Sequence, residues 1–243
     1  MCGISGYYLS KDSLTKLDSE IRQSLDLVSH RGPDDKDIYL ANNQKVGLAH
    51  ARLSIIDVSK KGHQPMHTTD KRLTIVFNGE IYNYKELKDF LNKNGYKKWT
   101  GDSDTEVVLK MFHYSLSKGI EIGKILLRLQ GIFAIALWDS VEKKLFLIRD
   151  ALGVKPLYIS EIGEGVAFSS EIKALLPFIN KISNNENSEN YIDAENLNRY
   201  FSFLWCPGDG TPSKRFKKVG PGEYLIFKNG LLDRKVKWYF LPS

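Results

Sequence analysis

The sequence has only two cysteines, Cys2 and Cys206, among its 243 residues. A pair this sparse in a chain of this length is not the disulfide framework of a small secreted domain. The five histidines form no HExxH motif, and no cluster of cysteine and histidine has the spacing of a zinc site. We therefore expect no metal site.

Long apolar runs and targeting signals are also lacking. No apolar stretch approaches the roughly 20 residues that cross a membrane. The start, MCGISGYY, has no basic region followed by an apolar stretch. The net charge is +6, but Lys and Arg are scattered and no aromatic–basic stripe is present. We expect a cytoplasmic chain whose thiols stay reduced and which binds neither a membrane nor nucleic acid.

Three common catalytic or binding motifs are missing as well. The sequence contains neither the phosphate-binding pattern GxxxxGK[ST] nor GxGxxG after a predicted strand. It also lacks the GxSxG elbow of many serine hydrolases. General nucleotide-binding and serine-hydrolase hypotheses lose most of their support.

The apolar pattern predicts an α+β fold with mainly antiparallel sheets, because strands dominate the middle of the chain. Leu14, Leu17, Ile21, Leu25 and Val28 recur at helical spacing, with Asp12 or Ser13 as the cap. Asn229-Gly230 between apolar runs indicates a tight hairpin. Further helices are predicted over residues 84–94, 170–176 and 194–203 and after Ser103, and strands over residues 46–56, 73–77, 131–138 and 145–148.

The chain is interpreted as one domain spanning residues 1–243. Its core covers about residues 2–177, and a variable tail follows over residues 178–243. Residues 182–190 are polar and low in complexity, which predicts a flexible excursion.

Nine motifs carry a specific resemblance. They are MCGI (1–4), HRGPD (30–34), RLSIID (52–57), HQPM (63–66), FNGEIYN (77–83), SDTE (103–106), GIFAIALWD (131–139), RDALGVKPLY (149–158) and FSSEIKAL (168–175). In this order they closely resemble the glutaminase domain of B-type asparagine synthetases. These are class II glutamine amidotransferases of the N-terminal-nucleophile hydrolase superfamily. The resemblance implies a four-layer αββα sandwich that hydrolyses L-glutamine without a cofactor.

By resemblance Cys2 is the nucleophile, exposed when Met1 is removed. The chemistry supports this role, because a thiol needs a base to attack an amide. A free α-amino group on Cys2, with a reference pKa of about 7.7–8.0, could accept the thiol proton. With Met1 attached, that nitrogen is a neutral amide and the role is lost. The alternative is that Cys2 is a small buried hydrophobic residue.

Asn78 and Gly79 are the implied oxyanion donors. The attacked carbonyl becomes an oxyanion that needs a side-chain amide and a backbone N–H, and the pair follows the apolar run LTIVF. The alternative is that Asn-Gly is only a turn signal here, as expected at 229–230.

Recognition of glutamine requires a cation for its α-carboxylate and an acid for its α-ammonium. The resemblance assigns the carboxylate to Arg52 and the ammonium to Asp104 and Glu80. Leu53 and Ile55 complete the implied substrate site.

The segment SDTE also fits a capping box at a helix start, so Ser103 could cap while Asp104 faces the ligand. The segment Gly101–Asp104 carries one residue more than the usual family spacing. Asp102 is therefore kept as an alternative to Asp104.

Other polar residues of the motifs are expected to be structural. Arg31 is interpreted as shaping the pocket or its lid, Arg149 and Asp150 as an ion pair, and Cys206 as incidental. Structural roles are expected for His30, His50 and His63, because the terminal amine already fills the position of the base.

The sequence contains no SGGxDS loop, the signature of the ATP-binding synthetase domain that follows in family members. ATP and Mg²⁺ are thus expected only in that domain or in a separate subunit, which would receive the ammonia for asparagine synthesis. The alternatives are a glutaminase half of a sugar- or polysaccharide-modifying amidotransferase and a non-catalytic interaction domain. The resemblance is compatible with a homodimer.

Overall fold

Two six-stranded antiparallel sheets form the centre of the molecule. A computed structural model describes residues 1–41, 43–182 and 191–240. The first sheet has the spatial order β10 (Lys217–Lys218), β8 (Tyr158–Glu161), β9 (Gly165–Ser169), β1 (Gly3–Leu9), β3 (Val46–Arg52) and β2 (Asp35–Ala41). The second has the order β12 (Leu231–Lys237), β11 (Glu223–Lys228), β7 (Lys144–Arg149), β6 (Gly131–Asp139), β5 (Leu73–Ile81) and β4 (Met66–His67).

Alternating side chains of each strand face two different apolar layers. On β1, Ile4 and Tyr8 point between the sheets and pack with Trp138 of β6. Tyr7 and Leu9 point to the opposite face. Because both faces are covered, every residue of β1 is buried, including the polar Ser5. Burial of each such large apolar side chain stabilises the fold by roughly 1.5–3 kcal/mol.

Helices cover the outer face of each sheet. The first sheet packs on α1 (Asp18–Val28) and α5 (Leu176–Ile182). The second packs on α2 (Tyr84–Lys93), α3 (Asp104–Ser117) and α4 (Ile122–Leu126). The layers follow the order helix, sheet, sheet, helix, which confirms the predicted four-layer αββα sandwich.

Several predicted elements occur where expected. The strands β6 and β7 pair as an antiparallel hairpin, and α6 spans Ala194–Phe203. Asn229 and Gly230 both have positive φ in the turn between β11 and β12, as the hairpin signal requires. The helix predicted over 170–176 is a 3₁₀ turn at Ile172–Leu175 followed by α5.

The start of the first helix was predicted wrongly. α1 begins at Asp18, with Leu17 at the N-cap position and no side-chain cap. Ser13 instead accepts a hydrogen bond from the Thr15 N–H and forms a local turn, and Leu14 is 96% exposed. Short polar side chains that bond nearby backbone compete with helix formation, which explains the later start.

Two strands end at positions that differ from the prediction. β3 stops at Arg52 and not at residue 56. β5 continues through Asn78-Gly79 to Ile81, so this Asn-Gly pair lies within a strand. Asn78 is paired with Ala134, and Gly79 with Phe133. A Cβ on Gly79 would lie 2.3 Å from the Ile132 carbonyl oxygen, so only glycine permits this approach.

The N-terminus of α3 is capped, but not by a reciprocal box. The Ser103 hydroxyl accepts a hydrogen bond from the Thr105 N–H at 3.1 Å. Glu106 accepts from the backbone N–H groups of Thr100 and Gly101 instead of returning to Ser103. This arrangement fixes the loop before α3 and leaves Asp104 in the first helical turn.

The chain after residue 177 contributes to both sheets through β10, β11 and β12. Residues 183–190, most of the excursion expected at 182–190, lie outside the described residues. Within the described ranges, no helix is both long and apolar enough to cross a membrane.

Candidate active site

One cavity brings together every predicted site residue. It lies where the start of β1, the end of β3, the end of β5 and the start of α3 converge. The predicted residues that line it are Cys2, Arg52, Leu53, Ile55, Asn78, Gly79, Glu80 and Asp104. We call this the glutamine cavity, after the substrate that the resemblance implies.

Cys2 lies just before β1, with its thiol between two backbone groups of Leu53. Sγ accepts a hydrogen bond from the Leu53 N–H at 3.4 Å and lies 3.7 Å from the Leu53 carbonyl oxygen. Burial raises the pKa of the Cys2 thiol, against the opposing effects of the Leu53 N–H, the chain's amino terminus and Arg52. The thiol is therefore protonated at neutral pH and needs a base to become a nucleophile.

The backbone of Cys2 is fixed by a residue outside the cavity. Arg31 Nε donates to the Cys2 carbonyl at 3.0 Å, and its Nη1 donates to Glu171 Oε1 at 2.9 Å. His30 Nε2 lies 2.9 Å from the same Glu171 oxygen. The motifs HRGPD and FSSEIKAL thus meet in one network that positions Cys2. Met1 lies at the rim of the cavity with 57% of its surface exposed.

The side chain of Asn78 carries an unused donor. Asn78 is 1% exposed, and its Nδ2 has no hydrogen-bond partner among the residues that the structure describes. A buried amide donor without a partner costs roughly 1–3 kcal/mol, and Asn78 lines the same cavity as Cys2. This donor is available to an oxygen of a molecule bound in the cavity.

Arg52 is held at the end of β3 by the loop that follows it. Its Nη1 donates to the Ser59 carbonyl at 2.9 Å, and its Nη2 donates to the Asp57 carbonyl. Gly62 packs against the same group, because a Cβ there would lie 2.2 Å from Nη2. The guanidinium lies on the cavity wall, where it can attract a carboxylate.

Asp104 and Glu80 are two of the three acidic residues that line the cavity. Asp104 is 5% exposed and accepts hydrogen bonds from the N–H groups of Ile81 at 3.0 Å and Thr105 at 2.8 Å. Burial raises the pKa of Asp104 to about 6, and the Glu80 carboxylate adds to the rise, while the two N–H groups oppose it. A cation placed between these carboxylates would favour the ionised form of Asp104.

Asp102, the alternative to Asp104, lies elsewhere. Its side chain is 88% exposed and pairs with Lys88 at 3.0 Å. It is absent from the lining of the glutamine cavity. Leu53 and Ile55 also line the cavity, and Ile55 is 67% exposed.

Gln64 and Lys155 line the cavity but were not predicted as site residues. Gln64 accepts from the Phe77 N–H at 2.7 Å and donates to Thr105 Oγ1 at 3.2 Å, so it links the edge of β5 to α3. Lys155 reaches the cavity from the segment after β7 and is largely buried. Both belong to motifs of the sequence, HQPM and RDALGVKPLY, but nothing local indicated where their side chains point.

His50 and His63 make structural contacts outside the cavity. His50 is fully buried, and its Nε2 lies 3.1 Å from the Phe77 carbonyl. Burial lowers the pKa of His50 to about 4, so its ring is neutral. Its contact with Phe77 links β3 of the first sheet to β5 of the second. His63 Nδ1 lies 2.7 Å from Asp35 Oδ2, and its Nε2 lies 3.0 Å from Asp37 Oδ2.

Arg149 and Asp150 have structural roles, but the expected ion pair between them is absent from the described residues. The Arg149 guanidinium donates to the carbonyls of Lys155, Gly153 and Val219. The Asp150 carboxylate accepts from backbone N–H groups, among them those of Val154 and Lys155. Both side chains therefore have backbone partners, and these bonds fix the turn over residues 150–155 from which Lys155 reaches the cavity. Cys206 is buried with its Sγ 3.3 Å from the Asn196 carbonyl, away from the cavity.

The bridge made by His63 predicts a pH-dependent contribution to stability. Burial alone lowers the pKa of His63, but the hydrogen bonds and charges of Asp35 and Asp37 outweigh it and raise the pKa. The stabilisation is fully present below the unfolded pKa of about 6.5 and is lost as the pH rises through the folded pKa.

His63→Gln should therefore lower the free energy of unfolding more at pH 5.5 than at pH 9. Because the side chains are partly exposed, we expect a difference of only about 0.2–1 kcal/mol. Urea denaturation of both proteins at the two pH values measures it. An equal effect of the substitution at both pH values would contradict the charged bridge.

Comparison with known proteins identifies the family to which this site belongs. The family model described as "Glutamine amidotransferase domain" matches residues 1–239. The chain belongs to this family. It is a class II glutamine amidotransferase domain, as the resemblance of its motifs implied.

The curated relatives of the chain include proteins named as asparagine synthetases. "Asparagine synthetase [glutamine-hydrolyzing] 1" of Bacillus subtilis is 37% identical over 99% of this chain and 35% of its own length. "Putative asparagine synthetase [glutamine-hydrolyzing] 2" of Methanocaldococcus jannaschii is 35% identical over 99% of this chain and 46% of its own length. This glutamine amidotransferase domain therefore spans less than half of these relatives.

Solved structures support the fold. The glutamine phosphoribosylpyrophosphate amidotransferase of B. subtilis superimposes with a TM-score of 0.71 and 18% identity, over 99% of this chain and 50% of that one. A structure titled as the allosteric regulatory enzyme of purine biosynthesis gives a TM-score of 0.67 at 19% identity, with the same coverage. At these identities the likeness concerns the fold alone.

Proposed function

We propose that this domain hydrolyses L-glutamine to L-glutamate and ammonia through a γ-glutamyl thioester on Cys2. One observation carries the proposal. The Cys2 thiol, the unpartnered Nδ2 of Asn78, a guanidinium and two carboxylates all line one cavity. These are the groups needed to attack an amide and to hold the two charged ends of an amino acid.

The first step uses the amine that Cys2 gains when Met1 is removed. That amine accepts the thiol proton, and Sγ forms a bond to the glutamine Cδ. The tetrahedral intermediate then breaks its C–N bond, and the nitrogen leaves as ammonia after receiving the proton from the amine. Water attacks the resulting thioester, which releases glutamate and restores the thiol.

The oxyanion of both tetrahedral intermediates would accept from Asn78 Nδ2 and the Gly79 N–H. The Asn78 amide is fixed in β5 and buried, so it needs no rearrangement when charge develops. Preorganised donors of this kind act mainly on the transition state.

The charged ends of the substrate fit the two sides of the cavity. Arg52 faces the α-carboxylate, while Asp104 and Glu80 face the α-ammonium, with Leu53 and Ile55 along the rim. Glutamine and glutamate share both charged ends. The γ-amide therefore has to be distinguished at Cys2 and Asn78.

We further propose that the ammonia serves ATP-dependent asparagine synthesis by a synthetase domain or subunit. The names of the curated relatives support this, together with the fact that the chain spans less than half of their lengths. ATP and Mg²⁺ would bind that part and not the glutamine cavity.

The role of the terminal amine gives the direct test of the proposal. The processed chain, with its mass confirming loss of Met1, is expected to release glutamate and ammonia in equal amounts. Chains that keep Met1 should be inactive, so the rate should follow the processed fraction measured by intact mass. Turnover by chains that keep Met1, or none by a folded and fully processed chain, would contradict the proposal.

Asp104→Asn should raise KM for glutamine by roughly 10- to 100-fold, since it removes a charged partner worth about 1.5–3 kcal/mol. The wild-type KM should also rise as the pH falls below about 6, because protonation of Asp104 then removes the same charge. Steady-state kinetics between pH 5 and pH 8 measures both effects.

Asp102→Asn is the matched control for this experiment. It makes the same chemical change two residues away, on a side chain that is 88% exposed and outside the cavity. KM should stay unchanged in this variant. A larger effect at Asp102 than at Asp104 would reverse the assignment of the ammonium site.

A further inference from the structure

A second cavity is larger than the glutamine cavity and separate from it. Its volume is about 600 Å³, within the range of small-molecule sites. It is formed by Lys61, the segment from Met66 to Asp70, the loop from Gly95 to Thr100 and one face of α3. None of its lining residues lines the glutamine cavity, so glutamine does not account for it.

Part of its wall is apolar and aromatic. Met66, Leu109, Tyr96 and Trp99 line the cavity. Trp99 Nε1 donates to Asn92 Oδ1 at 2.8 Å, and the Tyr96 hydroxyl lies 2.7 Å from His113 Nδ1. These bonds fix both rings, so the wall is already formed before any ligand enters.

Both carboxylates of the lining are occupied by groups of the protein. Asp70 accepts from the Thr68 hydroxyl, and its Oδ2 lies 3.0 Å from His113 Nε2. Glu106 accepts from backbone N–H groups and pairs with Lys110 at 2.7 Å. The Lys110 ammonium also lies 4.0 Å from the centre of the Trp99 ring. The acids and Lys110 therefore offer little free charge to a ligand.

Three further lysines remain available. Lys61, Lys97 and Lys98 line the cavity and are exposed. Among the described residues, no carboxylate lies within 4.0 Å of their ammonium groups. After the paired groups are set aside, the free charge at this cavity is positive.

We propose that this cavity binds a small organic anion with an aromatic body and a phosphate or carboxylate group. The body would lie against Trp99, Tyr96 and Met66, and the anionic group would meet Lys61, Lys97 and Lys98. A neutral ring would lose the contacts with the lysines, and a bare anion would leave the apolar wall in water. The proposal does not depend on glutaminase activity.

Titration of the ¹⁵N-labelled chain with phenyl phosphate tests the site, with the Trp99 indole N–H signal as the readout. This signal is assigned by its loss in Trp99→Phe. We expect saturable shifts of the Trp99 signal. Benzyl alcohol and inorganic phosphate should each bind at least tenfold more weakly, because each lacks one half of the required chemistry.

The lysines are tested by the double variant Lys97→Gln/Lys98→Gln. It should weaken phenyl phosphate binding by about tenfold or more. Lys16→Gln/Lys118→Gln removes the same charge from exposed lysines outside the cavity and should leave the affinity unchanged. The absence of saturable binding, or equal weakening in both double variants, would overturn the proposal.

The position of the ligand is tested by adding L-glutamine to Cys2→Ala already saturated with phenyl phosphate. Phenyl phosphate should remain bound, because the two cavities share no lining residue. Its displacement by glutamine would place it in the glutamine cavity and overturn the assignment.

Discussion

Replacement of Cys2 by alanine is expected to reduce glutamate release from L-glutamine by a factor on the order of 10⁴ or more. The thiol is the only group in the proposed mechanism that forms a covalent bond to the substrate. Without it no thioester can form, whereas the groups proposed to bind the charged ends of glutamine remain in place. Stopped assays of glutamate, with intact mass confirming removal of Met1, measure the loss.

Cys206→Ala provides the matched control for the loss of a thiol. The Cys206 side chain is buried near Asn196 and lies outside the glutamine cavity, so its loss should leave the turnover number unchanged. Both variants should retain the circular dichroism of the parent chain. Comparable glutamate release by Cys2→Ala and the parent would rule out Cys2 as the nucleophile.

Substrate binding separates the chemical role of Cys2 from a structural one. Cys2→Ala should still bind glutamine, because Arg52 and Asp104 are untouched. Calorimetric titration of this variant should give a Kd close to that of Cys2→Ser. Loss of binding together with loss of turnover would indicate that the cavity has collapsed, not that a nucleophile is absent.

The layered fold could be predicted where local signals agree with tertiary packing. The runs GIFAIALW and LFLI are buried on both faces, so apolar composition alone identifies them as strands. The first helix shows where this fails. Leu14 fits the helical spacing, but the Ser13 side chain bonds the Thr15 N–H and delays the helix start to Asp18.

The ends of the strands could not be read from local composition. Asn78-Gly79 has the composition of a turn, yet both residues pair with β6, because Gly79 permits close approach to the neighbouring strand. This continuation has a consequence for the site. It carries the Asn78 side chain on a rigid strand and not on a turn.

The residues that line the site were easier to predict than the contacts that hold them in place. The resemblance supplied the eight residues that meet in the cavity. It did not indicate that Arg31 holds the Cys2 carbonyl, or that Gln64 joins β5 to α3. Arg31 and Cys2 are 29 positions apart in the sequence, Gln64 and Thr105 are 41 apart, and Gln64 and Phe77 are 13 apart. Such contacts depend on how the two sheets pack.

Asn78→Ala is expected to lower kcat for glutamine hydrolysis by about 10²- to 10³-fold, with a much smaller change in KM. The substrate carbonyl is nearly neutral in the bound state and becomes an oxyanion in the transition state. A donor aimed at that oxygen therefore acts mainly on kcat. A KM effect larger than the kcat effect would instead indicate that Asn78 binds the ground state.

The free protein offers an independent measurement of the same donor. Because Asn78 Nδ2 is buried with no partner in the described part of the chain, Asn78→Ala removes a group that burial penalises. The urea midpoint of unfolding of Asn78→Ala should therefore fall by no more than the loss of the side chain's packing contacts predicts. Its kcat should nevertheless fall sharply. Asn94→Ala, which alters an exposed asparagine, should change neither kcat nor KM. A large loss of stability in Asn78→Ala with kcat preserved would show that the amide supports the fold and does not stabilise the oxyanion.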